Sequence, residues 1–341
     1  MIRYVMRPSR LDDFDDLMDL AERSGPGFTS LPVDEPRLLE RLEKSDRAFS
    51  GRLDQPQYGK YLMMMEAVET GEIVGCSAVK AGTGINEPFF NYRIITLAQA
   101  SHAADKRFDM DALVLTNEFV GYTEVGTLFI KADHRGGGAG RLAAQSRYLL
   151  MAADEALFGE KVLAELRGVV DERGETPFWD CLGQYFFQMS FQEADYLSAV
   201  SDNQFILDLM PKYPIYIDLL PPDAREVIGR CHSQGVGAMK LLEWEGFRFE
   251  RTVDIFDGGP MMATERRHIR TIRESRLVEV VVGTPTENLS GLISNDKIGG
   301  FRCTLLTGDW DQSGRLVLPQ TVMDVLQLSS GDAARIWIRD V

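Results

Sequence analysis

Cysteine is scarce in this chain: four residues in 341. Cys76, Cys181, Cys231 and Cys303 stand far apart, and none sits at a metal-ligand spacing. A disulfide framework is therefore not expected, and no metal site is; buried thiols in a reducing compartment are. Long apolar runs are also missing, so no membrane-spanning segment is expected. Met1–Pro8 is too short and too polar to read as a signal peptide. Positive charge is in deficit, with a formal net charge of −15. Such a balance argues against nucleic acid or an anionic membrane as a general partner and is compatible with a cationic substrate. Internal repeats and low-complexity tracts are absent. What these absences leave is a globular, cytoplasmic protein. Its hydrophobic content of 44% is ordinary and sufficient for a sizeable core. The length suits one large domain, or a domain with an appendage.

The chain is organised around Thr127-Leu128-Phe129-Ile130-Lys131-Ala132-Asp133-His134-Arg135-Gly136-Gly137-Gly138-Ala139-Gly140-Arg141. Leu128 to Ile130 form a β-favouring run, four glycines follow within five residues, and apolar residues then recur at helical spacing through Met151. This reads as strand, glycine turn and helix start. Without Cβ atoms the backbone can point several N–H groups one way, and the first N–H groups of a helix have no intrahelical partner. That arrangement suits a diphosphate; the same turn also serves as a plain strand-to-helix connection. A P-loop is excluded because Arg141-Leu142 follows the last glycine, where Lys and Ser or Thr would be needed. A dinucleotide fingerprint belongs on the first strand, and this cluster lies deep in the chain. Arg135-Gly136-Gly137-Gly138-Ala139-Gly140 fits the acyl-coenzyme A pattern Gln/Arg-x-x-Gly-x-Gly/Ala at every defined position.

Around this stretch, Ile2–Met6 is expected to be an edge strand and Asp12–Ala21 an amphipathic helix. Pro36 opens a second helix through Leu42. Tyr61–Val68 and Ile73–Val79 read as a hairpin turned at Thr70-Gly71. Tyr92–Leu97, Val125–Ile130 and Val162–Leu166 read as strands, and Gly235–Glu245 as a helix followed by a strand to about Asp254. The aromatic-rich stretch from Trp179 to Met210 suits a core or a subunit interface. Arg266, Arg267, Arg270, Arg273 and Arg276 form a basic patch, read first as a solvated face or as intrachain ion-pair partners. Beyond Leu277 the pattern is short β runs: Val278–Val282, Arg302–Leu306, Leu316–Leu318 and Ala334–Ile338.

The element order, the glycine motif and Ala238-Met239-Lys240-Leu241-Leu242-Glu243-Trp244-Glu245-Gly246-Phe247 together resemble the GNAT acyltransferase pattern. Leu242 replaces that superfamily's common tyrosine, which removes its usual general acid. A narrower resemblance, to bacterial arginine N-succinyltransferases, rests on blocks spread from near the N-terminus to about residue 282. They include Thr29-Ser30-Leu31-Pro32, Glu87-Pro88-Phe89-Phe90-Asn91-Tyr92-Arg93, Thr176-Pro177-Phe178-Trp179 and Asp208-Leu209-Met210-Pro211-Lys212. Tyr213-Pro214-Ile215-Tyr216 and Asp254-Ile255-Phe256-Asp257-Gly258-Gly259-Pro260 continue the series.

The resemblance implies an α+β fold: a GNAT-type central sheet, mixed but mostly antiparallel, flanked by helices, with a small C-terminal β appendage. It divides the chain into an acyltransferase domain over 1–262, with insertions at about 81–122 and 171–225, and a β-rich domain over 277–341. It implies transfer of a succinyl group from succinyl-CoA to the α-amine of L-arginine; preference between arginine and ornithine varies within the family. No permanently bound cofactor is implied, succinyl-CoA being a co-substrate, and a homo- or hetero-oligomer is expected. Leu128 is implied as an acyl-CoA contact and His232 as the proton donor. Cys231-His232-Ser233 lacks the proline that usually follows this histidine, which frees a backbone angle. A backbone N–H near Ile130 is expected to hold the thioester oxygen, and Arg135, Gly136, Gly137, Gly138, Ala139 and Gly140 the diphosphate. Arg93 and Arg167 are candidates for binding carboxylates; His134 stands close enough to Arg135 to touch phosphate. Two alternatives stay open: a related acyltransferase with another donor or amine, and a non-catalytic subunit or acyl-CoA sensor.

Overall fold

A computed structural model describes residues 2–25, 28, 30–171, 174–201, 203–287 and 289–339. Pro26, Gly27 and Thr29 lie outside the described residues. The first strand is β1 (Tyr4–Pro8), followed by helices α1 (Phe14–Ser24) and α2 (Glu35–Phe49). Asp34 caps α2 by accepting from Arg37 N at 3.0 Å, with Pro36 in the first turn where its missing N–H costs nothing. Next comes β2 (Lys60–Ala67). Its run Tyr61-Leu62-Met63-Met64-Met65 is apolar without alternation, which suits a strand covered on both faces. Leu62 and Met64 pack with Leu17, Leu20, Leu38 and Leu42 of α1 and α2, whereas Tyr61, Met63 and Met65 join a second core on the other face.

β3 (Ile73–Lys80) returns from β2, and β4 (Asn91–Ser101) and β5 (Lys106–Thr116) form a long hairpin. β6 (Thr123–Ile130) leads into the glycine turn and α3 (Ala139–Ala153), whose Leu142, Tyr148 and Leu149 fill the second core. β7 (Lys161–Glu165) precedes a helical insertion that closes with β8 (Ile215–Tyr216). Trp179 centres that insertion, packed against Phe187, Phe191 and Phe256. The helix Val236–Glu245 then feeds β9 (Arg248–Asp254) and β10 (Pro260–Glu265). The C-terminal part supplies β11 (Arg276–Val282), β12 (Gly291–Ser294), β13 (Cys303–Leu305), β14 (Asp309–Trp310), β15 (Leu316–Leu318) and β16 (Ala333–Ile338).

Among the described residues these strands form one sheet, ordered β14-β15-β11-β16-β12-β13-β1-β2-β3-β6-β7-β10-β9-β4-β5-β8. Only β6–β7 and β11–β15 pair in parallel. This is the mixed, mostly antiparallel α+β sheet expected, with helices on its faces and a small β-rich segment at its C-terminal end. That segment carries its own core of Val280, Ile293, Leu316, Val322, Leu326 and Ile336.

Two expectations change. β1 is not an edge strand: β2 pairs on one side and β13 on the other, where Met6 faces Cys303 and Thr304 Oγ1 donates to Tyr4 O at 2.7 Å. The covering strand comes from almost 300 residues away, so nothing local announces it. β5 was unforeseen because Lys106-Arg107-Phe108-Asp109 carries no apolar face. Its backbone ladder to β4, paired residue for residue from Asn91–Thr116 to Ser101–Lys106, holds that end, while Ala112 and Leu113 are buried at the other. The basic patch behaves as read: Arg266 bonds Glu155, Arg267 pairs with Glu265, and Arg270 stacks over Trp244. No helix among the described residues is long and apolar enough to cross a membrane.

Candidate active site

The parallel pair β6–β7 is registered only at its start, Thr123 with Val162 and Glu124 with Leu163. Beyond that point no pairing holds the strands together. A cavity of about 790 Å³ opens there, within the usual size of a small-molecule site. Leu128, Ile130, Arg135, Gly136, Gly140 and His232 all line it. Residues that the sequence spreads over 105 positions thus meet on one surface.

Gly136, Gly137 and Gly138 sit at φ +102°, +56° and +90°. Three successive left-handed residues need glycine, and they curl the backbone into a cup before α3 begins at Ala139. Gly137, Gly138 and Ala139 do not line the cavity. A Cβ on Gly137 would meet Arg3, one on Gly138 would meet Leu305 Cδ1 at 3.1 Å, and Ala139 is fully buried. Arg135 Nε donates back to Ile130 O at 3.1 Å, tying the turn to the end of β6.

β6 carries a bulge. Opposite β3 the register slips by one residue between Cys76–Phe129 and Ala78–Gly126. Thr127, inside the bulge, has φ +50°, an unfavourable conformation for a β-branched residue. Two guanidiniums hold it. Arg41 Nη2 donates to Thr127 Oγ1 at 2.5 Å while Nη1 donates to Ser30 O; Arg147 Nη1 reaches Gly126 O at 3.5 Å and Nε bonds Ala144 O at 3.0 Å. Every recorded acceptor of these two side chains is a neutral oxygen. Burial accordingly pulls both below their ordinary pKa.

The β7 side of the cavity is acidic. Glu165, Asp195, Asp254 and Asp257 line it. Asp257 accepts from Gly168 N at 2.6 Å and Gly259 N at 2.7 Å, and Asp254 accepts from Phe256 N and Asp257 N. Glycine is required at 259, where a Cβ would lie 2.2 Å from Leu166 O. Burial, then the charge of Asp254, pushes Glu165 well up, and the two carboxyls share a hydrogen bond. Glu165 is open to the cavity yet walled in by protein, so its carboxyl is poorly solvated despite its exposure. Burial and then Asp254 raise Asp195 to about 7, with Arg167 opposing.

His232 Nδ1 accepts from Gln234 N at 3.2 Å, which caps the turn Ser233–Gly235, and its backbone N–H donates to Arg167 O at 2.8 Å. Burial and then the Arg167 charge lower its pKa, opposed by a hydrogen bond to the Val170 backbone. The imidazole is therefore neutral near pH 7. Arg167 lines the cavity with its Nε buried and unpartnered. Arg93 is instead paired with Glu118 at 2.6 Å and does not reach the cavity. His134 bonds Tyr4 OH at 3.1 Å. Arg41, Arg147, Glu165 and Asp195 escaped sequence reading because each stands alone in an ordinary helix or strand pattern. Asp254 and Asp257 could have been found, since they bracket a strong turn.

A family profile described as "Arginine N-succinyltransferase beta subunit" matches residues 4–271, and a profile for that subunit's C-terminal domain matches 275–337. The chain belongs to the arginine N-succinyltransferase family. An arginine N-succinyltransferase of Enterobacter sp. (strain 638) is 42% identical over 334 residues, covering 97% of this chain and 96% of the relative. One from Salmonella paratyphi B is 41% identical over the same coverage. Among solved structures, arginine/ornithine succinyltransferase subunit AI from Pseudomonas aeruginosa matches with a TM-score of 0.91 at 31% identity, covering 99% of each chain.

Proposed function

We propose that this member of the arginine N-succinyltransferase family transfers the succinyl group of succinyl-CoA to the α-amino group of L-arginine, with ornithine as the other acceptor to compare. The observation that carries the reading is one cavity with two poles. A glycine cup and unpaired guanidiniums lie on the β6 side, suited to an anionic thioester, and an acidic recess on the β7 side suits a cationic amino acid. The family relatives named for this reaction support it.

The diphosphate of coenzyme A rests on the amides of Gly136, Gly137, Gly138, Ala139 and Gly140, with Arg135 beside it. The thioester oxygen accepts from the β6 backbone between Leu128 and Ile130, on the side that β7 leaves unpaired. The neutral α-amine attacks the carbonyl carbon; a C–N bond forms as the C–S bond breaks. The amine proton passes through His232 to the leaving thiolate. A neutral imidazole with lowered pKa must take up that proton before donating it, and the 3.2 Å contact with Gln234 N is the weaker of its ties to open.

The same reading assigns residues 1–262 to catalysis and 277–341 to a β-rich companion domain, which has a core around Val280 and Ile336 and also lends Leu292, Phe301, Cys303 and Trp337 to the core beneath α3. It places the enzyme in an oligomer, supported by exposed Tyr185, Tyr196, Tyr213 and Leu219 on the insertion. It places it in the cytoplasm, supported by four free thiols. The test is thiol release from succinyl-CoA with L-arginine, with the product mass checked. No turnover with any basic amino acid rejects the proposal.

A further inference from the structure

Arg41 and Arg147 stand out as cations with no carboxylate at hydrogen-bond distance among the described residues; Glu124 and Glu245 act on them only from farther off, too weakly to offset burial. Both are enclosed, both line the cavity, and both bond only neutral oxygens. A buried guanidinium with no carboxylate is costly, and chains keep one where a ligand supplies the missing charge. Their positions say which part of a ligand. They grip Gly126 and Thr127, the residues just before Leu128, whose strand is assigned the thioester carbonyl. One or two residues back along a strand is about 3–7 Å. The free carboxylate of a succinyl group lies three carbon–carbon bonds from its thioester carbon, on the order of 4 Å.

We infer that Arg41, with Arg147 behind it, binds the free carboxylate of the acyl donor and so selects an ω-carboxyacyl-CoA over a neutral acyl-CoA. The inference rests on the proposed function and deepens it. A planar, two-pronged donor matches a carboxylate. Thr127 gains a purpose from the same contact: its hydroxyl and Ser30 O each accept one N–H from a prong of Arg41, which fixes the guanidinium plane and leaves its remaining N–H groups for the carboxylate. A neutral acyl chain in this place would leave the guanidiniums as they stand, uncompensated, so discrimination comes from the penalty on the wrong donor as much as from the bond to the right one.

The experiment compares binding of two stable thioethers by calorimetry, S-(3-carboxypropyl)-CoA and S-butyl-CoA, which differ in one carboxylate. The wild-type protein should prefer the carboxylate by about 100-fold, the worth of one or two charge-assisted hydrogen bonds. In Arg41→Met the preference should fall below about 10-fold. An unchanged preference overturns the assignment, as does equal weakening of both ligands. If Arg41→Met does not fold, Arg41→Lys is read in its place: it keeps the charge but loses the fork, so a reduced preference supports the inference and an intact one overturns it. Succinyl transfer to arginine is measured on the wild type alongside. Its absence removes the proposed function, whereas its presence with an unaltered preference in the variant removes only the role of Arg41.

Discussion

Asp195 offers a quantitative test of the acidic recess. Burial raises its pKa from 3.8 to about 7, aided by the charge of Asp254 and opposed by Arg167. The folded protein therefore holds a proton that the unfolded chain gives up above pH 4. Stability from this group falls as pH rises between those two values and is lowest above pH 7. The span of about three units corresponds to about 4 kcal/mol at 1.4 kcal/mol per unit as a ceiling. The carboxylate can be reached by water in the open cavity, so about 1–2 kcal/mol is the realistic cost. Asp195→Asn removes the titration at nearly constant shape. The variant should match the wild type at pH 4.5 and exceed it by about 1–2 kcal/mol at pH 8.5, on the order of 1–3 °C in melting temperature. Melting both proteins at the two pH values decides it. A gain equal at both, or a loss at pH 8.5, would refute the claim that burial and Asp254 outweigh Arg167 at this carboxylate. In kinetics the same variant should raise KM for arginine more than it lowers kcat, because the lost charge belongs to substrate binding.

His232→Ala should lower kcat by about 10²–10³ while melting within about 1 kcal/mol of the wild type, since only a turn cap is lost. Burial and the Arg167 charge lower this imidazole's pKa, so the wild-type rate profile should carry a limb below pH 6.5 that His232→Ala lacks, apart from the higher limb of the substrate α-amine; profiles of the same shape below 6.5 contradict its assignment. Gly138→Ala should cost about 2 kcal/mol in urea unfolding and Gly136→Ala about 1, because both have positive φ but only the first adds a contact with Leu305 at 3.1 Å. The reverse order would show that the cup is not packed as described. Arg7 bonds Asp13 through both prongs at 2.8 Å, buried between β1 and the start of α1. Arg7→Met should cost about 3–5 kcal/mol, and pairing it with Asp13→Leu should recover only part, since that change removes one stranded carboxylate and leaves Glu66, which Arg7 Nε holds at 2.5 Å.

Local chemistry dictated much of this molecule. The glycines at 136–138 permit a left-handed cup, because no other residue tolerates three such turns in a row. The run Tyr61–Met65 requires a strand buried on both faces, and Asp34 with Pro36 requires a helix to start there. The motif from Arg135 to Gly140 and the scattered family blocks were enough to indicate the fold class, the donor and the histidine to suspect. Tertiary structure alone decided what faces what. Whether β1 is an edge depends on β13, which arrives from the far end of the chain. Arg41, Arg147, Glu165 and Asp195 read as ordinary surface charges in sequence, because burial and the lack of a counter-ion are properties of the surroundings and not of the residue. Only the separation of β6 from β7 brings Arg41 and Arg147 into one cavity with Glu165 and Asp195.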